Sequence, residues 1–420
     1  MSLSVEIVTI GDELLLGTTV DTNAVFLARA LGAVGVPIAR RATVGDDPAD
    51  IADAVQQALE RTGGVITTGG LGPTADDLTR PVLATLFGRD LREDPEIVAA
   101  LHALWASRGR GGQLPPSNLQ QALVPVGAEV LVNAQGTAPG LRLTDEQGRW
   151  VIMLPGVPRE LRHMTTTHIV PWLAAKGTGT VLRSRNVRTT SIAESALAEK
   201  LGPMKREVEG LPLAYLPGHD GVDLRVTARG LSADDAAQRL DAAVARIREA
   251  VGIYAYATDG VGMPKAVLDL CEAHGDTIAV AESCTGGLLG ARLTEVPGSS
   301  RVVLGGVIAY ANSVKQQELM VSPEDLQQHG AVSEPVAVQM ARGVRGLTGA
   351  TIGVGITGVA GPDGGTDDKP VGTVWIAVDV RGAVTTSRAI YIGDRVEIRH
   401  RATQAALDMI RRALLTSAQS

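Results

Sequence analysis

The run Ala281-Glu282-Ser283-Cys284-Thr285-Gly286-Gly287 sets a hydroxyl beside a thiol, between a strand-like and a helix-like segment. A serine there can act as a nucleophile if a base lies beside it and backbone amides face the developing oxyanion. The same position also suits a helix N-cap. Cys284 is a rival nucleophile, since a thiol at a helix N-terminus ionises more easily, or else a small buried side chain. The seven histidines (His102, His163, His168, His219, His274, His329 and His400) show no triad-like or metal-like spacing. Lysine is then the available base, as in Ser–Lys hydrolases. Of 39 basic residues only six are lysine, and lysine, unlike arginine, can give up its proton at working pH. One of them, Lys315, ends the run Gly305 to Lys315, which also carries Tyr310. Both side chains can reach one pocket with Ser283; the plainer alternative is a core or edge tyrosine and a solvated lysine.

Two more polar segments lie downstream. Gly355-Ile356-Thr357-Gly358-Val359-Ala360-Gly361-Pro362 follows a strand-like run and offers backbone donors for phosphate. Gly393-Asp394-Arg395 opens the last helix, with Arg399 one turn on.

The N-terminal third carries a different chemistry. Gly69-Gly70-Leu71-Gly72-Pro73-Thr74-Ala75-Asp76-Asp77-Leu78-Thr79 leaves a strand and enters a helix. Glycines at such a turn let amides approach an anion. The adjacent carboxylates suit Mg²⁺, which takes one or two carboxylates plus phosphate oxygens and water. A tight turn with aspartates complementing the helix dipole is the alternative. Gly11-Asp12-Glu13, the turn Asn133 to Gly140 and Leu154-Pro155-Gly156-Val157-Pro158-Arg159-Glu160 are further polar turns, two of them directly at strand ends. Strand ends are where α/β sheets place ligands, so these loops point to one phosphate-rich pocket.

The elements that must position these loops read as α/β. Val5–Ile10, 38–44, 64–68 and 150–153 have strand composition. Residues 22–33, with Thr22-Asn23 as cap, and 50–61 have helical spacing. Alternation of this kind predicts a parallel sheet with helices on both faces over 1–171. Residues 172–256 read as a small α+β unit: strands at 181–189, 213–216 and 222–228, a helix at 191–201 with Ser191 and Glu194 as a capping box, and an amphipathic helix at 232–251. Residues 257–420 return to α/β, with helices at 264–274, 285–296 and 396–415 and strands at 277–281, 302–304, 306–310, 350–356 and 372–380.

Composition narrows the function. At 420 residues, two or three domains are expected. A formal charge of −7 and 3% aromatic residues, with no basic stripe, argue against nucleic-acid binding. No apolar run spans a bilayer and the first residues do not resemble an export signal, so the expectation is a cytoplasmic protein without a membrane partner. The two cysteines, Cys271 and Cys284, fit a reducing compartment.

These motifs resemble a known family. GDELLLGxxxDTN at 11–23, GGLGPTADDLT at 69–79 and LPGVPRE at 154–160 resemble the molybdopterin-binding fold, and within it the N-terminal domain of the CinA family. AESCTGG at 281–287, GGVIAYANSVK at 305–315, GITGVAGPDGGTDDKPVGTVWIA at 355–377 and GDRVEIR at 393–399 resemble that family's C-terminal domain. The resemblance covers nearly the whole chain. It implies a three-layer molybdopterin-binding-like α/β domain, a KH-like α+β middle domain, and an α/β amidohydrolase domain.

The resemblance further implies two activities. One is hydrolysis of nicotinamide mononucleotide (NMN) to nicotinic acid mononucleotide and ammonia, with no cofactor. Ser283, Lys315 and Tyr310 would be catalytic; Thr285, Gly286, Thr357, Gly358, Gly361, Arg395 and Arg399 would bind substrate. The other is hydrolysis of ADP-ribose to AMP and ribose 5-phosphate. There Asp12, Glu13, Asp76 and Asp77 would hold Mg²⁺ or a similar divalent cation, with or without K⁺, and Gly69, Gly70, Gly72 and Thr74 would cradle the ligand. Small nucleotides are the expected partners, and a homodimer the default assembly. Two rivals stand beside this reading: a molybdopterin-binding protein without hydrolase activity, and an interaction protein serving DNA uptake or repair.

Overall fold

The computed structural model describes residues 3–107, 113–177 and 179–417. The chain forms two compact units, Met1–Arg183 with Ala228–Gln238, and Ser184–Thr227 with Arg239–Ser420. No helix of the described residues is long and apolar enough to cross a membrane.

The N-terminal sheet has six strands in the order Ile38–Val44, Val5–Ile10, Gly64–Thr68, Trp150–Leu154, Gly140–Thr144 and Glu129–Leu131. The first four run parallel; the last two are antiparallel to their neighbours. The expected all-parallel sheet is thus a mixed one, because the hairpin Glu129–Thr144 adds an edge that no crossover helix supplies. Val5–Ile10, Gly64–Thr68 and Trp150–Leu154 are buried at every position. That requires cover on both faces, and two apolar clusters provide it. One gathers Val5, Ile7, Leu27, Leu31 and Ile152; the other gathers Val8, Ile51, Val55, Leu83 and Met153. The helix Thr22–Ala33 is capped one residue earlier than expected, by Asp21, whose carboxylate accepts from the Ala24 amide at 2.9 Å.

The middle sheet has the order Glu207–Val208, Leu211–Gly218, Gly221–Ser232, Thr180–Thr189 and Ala255–Thr258. Ser191 does not cap a helix. It has a φ of 59°, its hydroxyl donates to Asp408 at 2.8 Å, and the helix begins only at Glu194. Asp408 also takes Arg411 and Arg412, all on the last helix. Asp220, on a turn of the middle domain, accepts from His400 at 2.8 Å and Arg292 at 3.3 Å. The middle and C-terminal domains are therefore joined through buried and half-buried charges.

The C-terminal sheet runs Val303–Ile308, Ile278–Glu282, Ile352–Gly358, Thr373–Val380, Ala383–Ile390. Its first three strands are parallel and its last two antiparallel. Met263–His274 and Arg395–Ser417 cover one face, burying Val267, Cys271, Ala402 and Ile410 against Ile278, Val280 and Val354. Glu334–Thr348 covers the other with Val336, Met340 and Val344. Two strands expected around Gly305-Gly306 are one continuous strand. Its position is forced: a Cβ on Gly306 would lie 2.5 Å from the Val280 carbonyl of the neighbouring strand. The helix expected at 285–296 starts only at Leu288, which leaves 283–287 as a loop between strand and helix.

Candidate functional sites

Ser283 follows directly on the strand Ile278–Glu282, and neighbouring strands fix its backbone. Its amide donates to the Ile356 carbonyl at 2.9 Å, and the Glu282 carbonyl accepts from Ala309 at 2.8 Å. Lys315, on the helix Asn312–Leu319, is 1% exposed and Ser283 9%. The Lys315 Nζ donates to Ser283 Oγ at 3.2 Å, the Ala309 carbonyl at 2.8 Å and the Tyr310 carbonyl at 3.2 Å. No carboxylate pairs with it among the described residues, and burial lowers its pKa from 10.5. Once deprotonated, the amine would keep two hydrogens for the two carbonyls and turn its lone pair toward Ser283 Oγ. That is the geometry of a serine and its base.

The helix N-terminus behind Ser283 has another occupant. The Glu282 carboxylate, 1% exposed, accepts from the amides of Gly287 at 3.1 Å, Leu289 at 3.0 Å and Gly290 at 2.8 Å. Those amides are unavailable to an oxyanion. Gly286 and Leu288 donate to the Ser283 and Thr285 carbonyls. Among the described residues the Thr285 amide enters no hydrogen bond and the Cys284 amide meets only its own thiol, so neither is committed to another residue. Cys284 is buried, which pushes its thiol up to about 12 and keeps it protonated. It is poorly suited to be the nucleophile.

Tyr310 sits differently from the expectation. Its ring is 62% exposed and its hydroxyl accepts from Arg395 Nη2 at 3.1 Å; only its main-chain carbonyl touches Lys315. Arg395 also donates to the Gly361 carbonyl at 2.7 Å, and Arg399 forks onto the Thr285 carbonyl with Nε at 3.1 Å and Nη2 at 2.7 Å. Both arginines therefore brace the loops around Ser283, with Arg395 Nε and Arg399 Nη1 bonded to nothing among the described residues. Thr285 is fully buried and its hydroxyl has no partner among the described residues. The Thr357 hydroxyl donates to the Ala331 carbonyl at 2.7 Å. A Cβ at Gly358 would meet the Thr373 carbonyl at 2.6 Å, so strand packing accounts for that glycine.

In the N-terminal domain the loops at the strand ends enclose a cleft of about 450 Å³. Gly11, Glu13, Asp46, the loop Gly69–Pro73, Asp76, Asp77 and Gly156 line it. Gly69, with φ 104°, lets its chain pass the first strand: a Cβ there would lie 2.1 Å from the Ile10 carbonyl. Asp77 holds its own loop, accepting from the Gly72 amide at 2.6 Å, the Thr74 amide at 2.8 Å and the Thr74 hydroxyl at 2.5 Å. Asp77 thus braces its loop as well as lining the cleft, with acceptor capacity remaining on its two oxygens; the same bonds make Thr74 a loop brace. Asp12 and Asp46 clasp each other's backbones: the Asp12 amide donates to Asp46 at 3.1 Å and the Asp46 amide to Asp12 at 3.3 Å. Burial, and then the like charges of Asp12, Glu13 and Asp76, raise the Asp46 pKa.

Asp46 was not singled out from the sequence. The signal was available, because Gly45-Asp46 ends the strand Ile38–Val44 as Gly11-Asp12 ends Val5–Ile10. Among the described residues no three of these carboxylates gather into a ready metal cluster. The donor set fits a hard cation that shares its coordination with phosphate and water, not an all-protein cage.

Comparison with known proteins gives three consecutive matches. Residues 6–175 match the family "Probable molybdopterin binding domain", 184–257 the "Damage-inducible protein CinA KH domain", and 261–414 the "CinA C-terminal domain". A CinA-like protein of Gemmatimonas aurantiaca is 57% identical over 99% of this chain and 97% of its own length. One of Prochlorococcus marinus is 44% identical over 98% and 96%. Among solved structures, CinA of Thermoplasma acidophilum is 37% identical, covering 39% of this chain and 95% of that one, with a TM-score of 0.36.

Proposed function

Because the chain belongs to the CinA family, as relatives spanning its full length establish, we propose that it is a two-site hydrolase of pyridine-nucleotide salvage. The observation that carries this is the buried, carboxylate-free Lys315 aimed by two carbonyls at Ser283 Oγ.

At the C-terminal site the substrate is the carboxamide of NMN. Ser283 Oγ attacks the amide carbon as neutral Lys315 takes the hydroxyl proton. The Cys284 and Thr285 amides receive the negative charge on the carbonyl oxygen. Lys315 returns the proton to the leaving nitrogen and ammonia departs, leaving an acyl ester on Ser283. Water, deprotonated by Lys315, then cleaves the ester to nicotinic acid mononucleotide and restores Ser283. Tyr310 serves through its carbonyl, which orients Lys315, and through a hydroxyl that joins Arg395 at the mouth of the site. The spare donors of Arg395 and Arg399 face the phosphate. Ammonia release from NMN, absent in Ser283→Ala, tests this reading.

At the N-terminal cleft the substrate is ADP-ribose. Glu13, Asp46 and Asp76 would hold a divalent cation together with the pyrophosphate; when bound, it neutralises phosphate charge and lowers the pKa of a water. The Gly70 and Leu71 amides would meet the phosphates, since Gly69 donates to the Leu154 carbonyl and Gly72 to Asp77, which keeps that loop in shape. AMP formation from ADP-ribose, slowed in Asp46→Asn, tests this half.

A further inference from the structure

The N-terminal cleft has a second lining that its carboxylates do not explain. Gln121 lies in the turn Pro116–Ala122 and lines the cleft together with the glycine loop. It is 2% exposed, and its carboxamide makes no hydrogen bond among the described residues; Oε1 is buried without a partner. Two other lining residues repeat the pattern. Asn23 Oδ1 is buried without a partner while its Nδ2 donates to the Gly156 carbonyl at 2.7 Å, and the Thr68 hydroxyl is likewise unpartnered. Three orphaned polar groups in one cleft each carry a desolvation cost that folding alone does not offset.

Gln121 is also held in place. Arg80, 3% exposed, donates through Nη1 to the Gln120 carbonyl at 2.6 Å and through Nη2 to the Leu71 carbonyl at 3.1 Å. Burial lowers its pKa to about 10, so it stays charged at neutral pH. One buried cation thus ties the turn that carries Gln121 to the loop that faces the phosphates. The arrangement fixes the spacing between an amide that lacks a partner and the place where charge is bound.

We propose that Gln121, with Asn23 and Thr68, reads the uncharged part of the nucleotide: an N–H or O–H donor of its base or sugar bonds the Gln121 carboxamide while the phosphates lie on the glycine loop. The inference rests on the reading of this cleft as a nucleotide-pyrophosphate site and adds its specificity determinant. The donor is either the exocyclic amine and hydroxyls of an adenosine or the hydroxyls of a terminal ribose.

The test compares the full-length wild type with Gln121→Met, which keeps length and removes the amide. Isothermal titration uses the non-hydrolysable methylene analogue of ADP-ribose with Mg²⁺, then AMP and ribose 5-phosphate, and thermal unfolding is followed without ligand. The variant should be at least as stable, because no protein bond is lost, and should bind the analogue about tenfold more weakly. A loss shared by AMP places the donor on adenosine; a loss shared by ribose 5-phosphate places it on the terminal ribose. Equal affinity in the two proteins overturns the proposal alone. So does a drop in melting temperature, which would give the amide a structural partner. A wild type that binds none of the three compounds overturns both this proposal and the pyrophosphatase reading.

Discussion

The two sites are built on opposite plans. At the C-terminal site the reacting groups already touch: Ser283, Lys315 and two orienting carbonyls form one bonded set, nearly closed to solvent. In the N-terminal cleft the carboxylates hold backbone or stand apart, and buried amides and hydroxyls face the space unbonded. The difference is the one that the two proposed reactions would require. A covalent mechanism needs nucleophile and base aligned before substrate arrives. A pyrophosphate site that shares a cation with its ligand leaves valences for both.

The sharpest way to break this contrast is at Ser283. Ser283→Ala should lower amide hydrolysis by about 10⁴-fold or more and leave AMP formation from ADP-ribose unchanged. A loss of both activities in the folded variant would mean that the sites are not separate. Lys315→Met should lower amide hydrolysis by about 10³-fold, and Lys315→Arg should not rescue it, because arginine stays charged. The base must be neutral, so the wild-type rate should rise with pH through an inflection below the ordinary lysine value of 10.5. A flat profile over pH 6 to 10, roughly the span on either side of a lowered lysine pKa, would remove Lys315 from the mechanism.

Asp46→Asn should cost the pyrophosphatase about 10- to 100-fold with no change at the amide site. Steady-state rates at saturating Mg²⁺ check this, and an undiminished rate would return Asp46 to a purely structural role. Glu282→Gln exchanges a carboxylate holding three amides for a group with one acceptor oxygen. It should cost about 2–3 kcal/mol of stability, read by urea unfolding, and lower kcat more than it raises KM. The smallest effect belongs to Cys284→Ala, whose amide hydrolysis should stay within about threefold of wild type; a large loss would reopen the thiol as nucleophile.

Much of this was legible in the sequence where one residue type does one job. The strands Val5–Ile10, Ile38–Val44 and Gly64–Thr68 are apolar or alternating runs closed by glycine or aspartate, and they fall where composition puts them. Ser283 and Lys315 were visible as a rare pair, and the fold brings them to 3.2 Å. What failed was competition between equivalent partners. Ser191 resembles a cap, yet Asp408, distant in sequence, takes its hydroxyl. Asp77 was read from its motif as a metal ligand, and its second task, accepting from three donors of its own loop, had no signal in the sequence. The strand Ala383–Ile390 was missed because its Thr, Ser and Arg blur the apolar period, whereas the helix Glu334–Thr348 was legible from Val336, Met340 and Val344 and was overlooked. Gln121 carried no signal at all, since its role lies in lacking a partner that only the folded chain could deny it.

The central claim is that Ser283 and Lys315 form an amide-hydrolysing pair independent of metal. The most direct measurement is ammonia release from NMN by the purified full-length protein, beside Ser283→Ala, with a chelator present. The account predicts steady release with matching nicotinic acid mononucleotide from the wild type and none from the variant. Release that persists in Ser283→Ala, or none from the wild type, would contradict it.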